Sequence, residues 1–211
     1  DYTMKLNSIL IILIGVVALT VGILAGTRLG GTKPAPAIKG AVYEVPLPVP
    51  SFQLTDHRGQ PLTQSRLDGK WTFIYFGYTF CPDVCPTTLQ SLGAMQSLLS
   101  AQDADRDTEY LFISVDPERD DTERLAQYAP FFGERFVGAT GSSEQLLALT
   151  RPLGVIYAKV PGEDSENYLV DHSSSVLLIN PEGQLQAVLT APHVADRMAE
   201  DFLIVREYHG G

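Results

Sequence analysis

Residues 71–89 read WTFIYFGYTFCPDVCPTTL, and the fold turns on how this stretch divides. Trp71 to Tyr78 is a continuous apolar and aromatic run with β-branched content. That pattern predicts a strand buried on both faces. Pro86 suits the first turn of a helix, where its missing N–H costs nothing. Leu89, Leu92, Met95, Leu98 and Leu99 then recur at helical spacing, predicting a helix from about Pro86 to Ala101. Cys81 and Cys85, the only cysteines in the 211-residue chain, lie at the junction between strand and helix.

On the N-terminal side, FQLTDHRGQPLT (52–63) reads as two short strands joined by a turn at Asp56 to Gly59. On the C-terminal side, EYLFISVD (109–116) is a second buried strand. TERLAQYAPFF and SSEQLLALTRPL read as helices, the latter opened by a capping-box pattern from Ser142 to Gln145. VIYAKV and NYLVD are short strands around a loop holding Pro161 and Gly162. SVLLIN, a turn at Asn180 to Gly183, and QLQAVLT form a hairpin, and a last helix runs from about Val194 to Tyr208. Strand–helix–strand followed by a hairpin and a closing helix predicts an α/β fold of thioredoxin-like order. It would have a mixed central sheet, helices on both faces and an extra N-terminal hairpin.

The first fifty residues are a different material. After a short extension (1–5), no charged side chain occurs from Leu6 to Thr27. These 22 residues, at about 1.5 Å each, would span roughly 33 Å and are read as one transmembrane helix (6–27) in a lipid bilayer. Lys5 on one side and Arg28 with Lys33 on the other leave its orientation undecided by charge. Residues 28–50 are rich in proline and glycine and are read as a tether reaching up to about 60 Å. The globular domain is expected over 51–211. A formal charge of −10 argues against nucleic acid, because phosphate binding needs a basic face.

Three roles compete for the cysteine pair. A staple closing so short a loop removes little chain entropy. On a regular helix, positions 81 and 85 would hold Cβ atoms about 5–6 Å apart, whereas a disulfide wants about 3.8 Å. A metal tolerates the wider pair. Pro82 interrupts regular helix, so a reversible disulfide stays open beside a metal clamp. Cys85 is expected near the helix N-cap, where unpaired N–H groups lower a thiol pKa; Asp83 opposes that shift. A metal site needs a further ligand. His57 reads as a solvated turn residue, His193 stands near a helix start and His209 lies in the C-terminal tail. His172 differs: in YLVDHSSSVLLIN it immediately precedes a buried strand, at the end of the sheet where the cysteines sit. Two thiolates and an imidazole suit Cu(I) or Zn(II), with copper the better match because no further cysteines exist to close a structural zinc site.

FGYTFCPDVCPTTL, SVDPERDD and VDHSSSVLLINPEG together resemble the Sco (SenC) family of membrane-tethered, thioredoxin-like copper proteins. The likeness runs from about Phe52 to Tyr208. The resemblance implies a metallochaperone, not an enzyme in the turnover sense, for the dinuclear copper centre of cytochrome c oxidase subunit II. It implies Cys81 and Cys85 as sulfur ligands and His172 as the nitrogen ligand of one copper ion, Cu(I) or Cu(II). A copper-donor protein and a thiol reductant would be further partners. It also implies a single-pass protein of the bacterial cytoplasmic (inner) membrane with its domain on the periplasmic side. Asp116, in SVDPERD, matches a family feature to which no role is assigned. Ser174 stands where thioredoxin-like reductases carry a cis proline, and the peroxiredoxin approach to a single reactive cysteine is missing. Two other readings remain: a thiol–disulfide oxidoreductase that keeps the oxidase copper-site cysteines reduced, and a copper or redox sensor.

Overall fold

The computed structural model describes residues 12–22, 34–162 and 168–210. The chain forms two units, residues 1–34 and 35–211. In the first, residues 12–22 form a helix, α1, whose side chains are exposed. The rest of the expected span 6–27 lies outside the described residues. Among those described, no helix is long and apolar enough to cross a membrane.

The second unit contains β1 (Gly40–Pro48), β2 (Gln53–Asp56), β3 (Pro61–Thr63), β4 (Trp71–Gly77), α2 (Val84–Ser100) and β5 (Thr108–Ser114). There follow α3 (Thr122–Tyr128), a 3-10 turn (Ala129–Phe132), β6 (Phe136–Thr140), α4 (Ser143–Thr150), β7 (Tyr157–Val160) and β8 (Leu169–His172). β9 (Val176–Ile179), β10 (Gln184–Leu189) and α5 (Ala195–Gly210) complete it. One eight-stranded sheet has the order β1-β10-β9-β4-β5-β6-β2-β3, while β7 and β8 pair separately. β4, β5 and β6 run parallel and β9 is antiparallel to β4, so the sheet is mixed.

Every residue of β4 and β5 is buried, so both faces of the central strands are covered. That is why their sequences are apolar without alternation. On one face, Phe73, Tyr110 and Phe136 are register partners on successive strands. Their rings stack at centroid distances of 5.1 and 4.9 Å. Phe202 of α5 meets Phe73 edge-on at 5.1 Å, and Tyr128 of α3 lies 5.3 Å from Phe112. Aromatic pairs of this kind contribute about 0.5–1.5 kcal/mol beyond their area burial. Ser142 and Gln145 form the expected capping box of α4.

The expected tether needs correction. Of residues 28–50, Gly40–Pro48 form the edge strand β1, antiparallel to β10 from Gly40↔Leu189 to Pro48↔Gln184. Ile38, Val42 and Tyr43 pack on the core. Pro46 and Pro48 are tolerated because an edge strand can leave N–H positions unpaired. β6 is likewise absent from the elements read in the sequence: FVGAT is short, and Gly138 sits close under Leu125 of α3 and Ala129 of the 3-10 turn that follows it. A domain starting at Ala35 is expected to keep native stability, whereas one starting at Ser51 leaves the β10 edge open and loses the half-buried Ile38, Val42 and Tyr43 together with the buried Val49. At roughly 1 kcal/mol for each half-buried side chain and about 2 kcal/mol for Val49 the loss is about 5 kcal/mol, or roughly 10–20 °C in Tm by thermal unfolding.

Candidate metal centre

β4 delivers the chain to the C-terminal edge of the sheet at Gly77, and α2 starts at Val84. Cys81 lies in the intervening loop and Cys85 is the second residue of the helix, facing inward. The side chain of Cys85 is fully buried, while Cys81 is 8 % exposed. The Cys85 N–H, one of the orphan donors of a helix start, donates to Cys81 Sγ at 3.4 Å. Gly77 makes room for this packing: a Cβ there would sit 2.8 Å from Cys85 Sγ and 3.0 Å from the Phe112 ring.

His172 is the last residue of β8, paired with Tyr157 across the two-stranded ribbon. Its Nδ1 lies 3.1 Å from the Ser173 carbonyl, to which the Nδ1–H donates. That leaves the Nε2 lone pair pointing at Cys85 Sγ, 3.2 Å away. Ser173 is itself fixed, its N–H donating to Ile156 O at 2.9 Å and its hydroxyl accepting from Ile156 N at 3.0 Å. Tyr75 and Tyr78 meet the imidazole edge-on at 5.9 and 6.0 Å. One donor atom from each of Cys81, Cys85 and His172 thus falls within 4.8 Å of the others.

Burial dominates the electrostatics. Desolvation lowers the His172 pKa, opposed by the Ser173 carbonyl and Asp171. The ring is therefore neutral at neutral pH and its Nε2 free to accept. Desolvation pushes the Cys85 thiol up. The helix N-terminus acts in the opposite, expected direction, but complete burial outweighs that partial charge. The Cys85 S–H therefore donates to His172 Nε2, and a soft cation that displaces this proton would gain a thiolate and an imidazole together. An open pocket of about 270 Å³, lined by Cys81, Pro82, Asp83, Val84 and the segment Leu169–His172, gives access from solvent.

The other histidines are elsewhere. His57 stands in the expected turn, but it is half-buried and its Nδ1 accepts from the Gly138 N–H at 2.9 Å. His193 donates from Nε2 to Ser174 O at 2.7 Å, and His209 contacts Glu182 and Gln186. Asp120 is a residue that sequence reasoning missed. Fully buried, it accepts from Thr79 N at 2.8 Å, Thr79 Oγ1 at 2.6 Å and Ser114 Oγ at 2.5 Å. It thereby pins the loop two residues before Cys81. Its element, SVDPERD, is visible in the sequence, but nothing local says which carboxylate turns inward.

The SCO1/SenC family model matches residues 44–205. The chain belongs to the SCO1/SenC family. It is 41% identical over 132 residues to the mitochondrial SCO2 homolog of Mus musculus, covering 63% of this chain and 52% of that protein. The chain thus spans about half the length of the curated relatives it matches. The copper-bound structure of Arabidopsis thaliana ScoI is similar with a TM-score of 0.70 at 35% identity, covering 77% of this chain and 99% of that one. Copper-bound ScoI of Bradyrhizobium japonicum gives 0.66 at 32% identity, covering 82% and 99%. The family assignment agrees with the thioredoxin-like fold read from the order of elements.

Two outcomes follow from the packing. Under reducing conditions without metal, iodoacetamide should modify Cys81 at least about tenfold faster than Cys85, as read by peptide mass spectrometry, because Cys85 is buried and protonated. Gly77→Ala should force Cys85 Sγ out of place and cost about 1–3 kcal/mol in denaturant unfolding.

Proposed function

We propose that the protein binds one copper ion through Cys81 Sγ, Cys85 Sγ and His172 Nε2 and delivers it to the dinuclear copper site of cytochrome c oxidase subunit II during assembly. The observation that carries this reading is the convergence of two sulfurs and an imidazole nitrogen within 4.8 Å, with that nitrogen held in its accepting form. The donor set is soft, which favours Cu(I). It is also three-membered among the described residues, whereas structural zinc is held by four ligands. The two copper-bound ScoI structures support the same choice of ion.

The three donors divide into a cysteine pair on one segment and a histidine on another. Cys85 is anchored in the core, Cys81 borders the open pocket, and His172 closes from the ribbon. A recipient's ligands entering over Cys81 can replace these donors one at a time, so cargo passes without an exposed free ion. Residues 6–27 serve in this reading as a single span of the bacterial inner membrane, with the domain on the periplasmic side. Subunit II, a copper donor and a thiol reductant are its partners. A second reading has a specific observation in its favour: both thiols are free, one at the pocket and one behind it. In that role the two thiols become a disulfide as a target disulfide becomes two thiols.

Copper titration of the reduced full chain, with competition by a Cu(I) chelator, tests the proposal. One equivalent should bind, and His172→Ala should weaken binding by more than about 100-fold, beyond the roughly 10–100-fold that loss of a supporting residue costs. Unchanged affinity in that variant removes His172 from the site; no binding by the intact chain defeats the chaperone reading. Affinity should also rise with pH between about 6 and 8, because the raised Cys85 pKa means that its proton must leave on binding. A flat profile counts against Cys85 as a ligand.

A further inference from the structure

The turn from Asp116 to Asp120 contributes no donor atom to the proposed site, yet it touches both halves of it. Asp116 is fully buried, and its two carboxylate oxygens are divided. Oδ2 accepts from Arg119 Nε at 2.6 Å, and Oδ1 accepts from the Tyr168 hydroxyl at 2.6 Å. Arg119 Nη1 donates to the Tyr168 carbonyl at 3.0 Å. The guanidinium carbon lies 3.5 Å from the centroid of the Tyr168 ring and 4.8 Å from that of Phe80. Tyr168 immediately precedes β8, the strand that ends in His172, and Phe80 immediately precedes Cys81. A second tie joins the same turn to the ribbon, Glu118 to Lys159 Nζ at 2.5 Å, but its partners are largely exposed. Such a pair contributes little.

The ribbon needs an external support. Among the described residues β7 and β8 pair only with each other, outside the main sheet, and an isolated two-stranded ribbon is marginally stable in water. We propose that Arg119 is a positioning residue: it clamps Tyr168 and Phe80 to one buried carboxylate and so sets the distance between His172 and the two sulfurs. This rests on the copper reading above. Only a planar guanidinium meets the demand, since it offers in-plane donors to Asp116 and the Tyr168 carbonyl and flat faces to two rings. A lysine would keep the charge beside Asp116 and lose the bridge. The role differs from that of Asp120, which ties the cysteine loop at Thr79 to Ser114 of β5.

The test uses the full chain and the variants Arg119→Met, Arg119→Lys and Arg124→Met. Arg124 lies over Phe80 at 4.2 Å and donates to Thr79 Oγ1, and both contacts are on the cysteine side. In the metal-free protein, hydrogen exchange at the Asp171 and Ser173 amides, which face Ala158 and Ile156 across the ribbon, should quicken at least about tenfold in both Arg119 variants, with β4 unchanged. After loading with Cu(II), pulsed EPR should show an imidazole nitrogen coupling in the wild type and in Arg124→Met. That coupling should be weakened or lost in both Arg119 variants, with affinity down about 10–100-fold. Should Arg119→Met fail to fold, Arg119→Lys decides, because it keeps the Asp116 carboxylate paired. Wild-type coupling, affinity and exchange in Arg119→Lys overturn the clamp while leaving the copper reading intact. Equal loss of coupling in Arg124→Met also overturns it, by showing that any loosening of the cysteine loop suffices. A wild type with no nitrogen coupling defeats the ligand assignment itself, and the proposal with it.

Discussion

The close approach of Cys85 Sγ to the backbone at Gly77 governs how the site is assembled. β4 is the strand through which both sheet neighbours are held, parallel β5 on one side and antiparallel β9 on the other. Its last residue must let a sulfur pass where a side chain would stand, since even a methyl group there would come within 2.8 Å of it. Glycine meets the need through the space it leaves vacant. With the sulfur seated against the strand end, α2 is drawn in over the sheet, and its buried residues Leu89, Leu92, Met95 and Leu99 fall into the core. The same packing that completes the core therefore fixes one donor atom and leaves the second, Cys81, at the rim.

Burial then governs the chemistry. A thiol in a dry site holds its proton, and a histidine in the same site loses its own. Both shifts are in the direction that lets a Cys85 S–H donate to a neutral His172 ring. Cys85 and His172 thus satisfy one another without an unpaired charge. Ser173 completes the arrangement by accepting a hydrogen bond from Nδ1–H through its carbonyl, the usual device by which a supporting carbonyl sets the tautomer of a ligating histidine. Two tyrosines wall off the ring, and Asp120 holds the approach to Cys81 with three donors.

Where sequence reasoning falls short, one cause recurs: a residue's role is set by a partner far along the chain. Gly40–Pro48 reads as spacer because it lies inside a longer stretch rich in proline and glycine, yet β10 has an edge to fill and receives it. His57 reads as a turn residue, yet its ring reaches the N–H of Gly138. FVGAT is too short for periodicity to separate it from loop, and it becomes a strand because β5 and β2 lie on either side. The Cys85 thiol does stand at a helix start, as its sequence context implies; the sign of its shift follows from depth of burial, which no local pattern carries.

The central strands, the principal helices and the turn signals between them are legible in the sequence, because hydrophobic period, capping pairs and proline placement act within a few residues. So are the side chains able to ligate a soft metal: two cysteines with three residues between them and a histidine before a buried strand are chemical facts of the chain. That these groups meet is a property of the tertiary structure alone. Cys85 and His172 stand 87 positions apart in the chain, on a helix and on a ribbon that share no backbone pairing. Their 3.2 Å contact exists because Gly77 admits the sulfur, Ser173 turns the imidazole, and the Asp116–Asp120 turn touches both the cysteine loop and the ribbon. Position in space comes from the packing of distant segments, and local sequence cannot encode it.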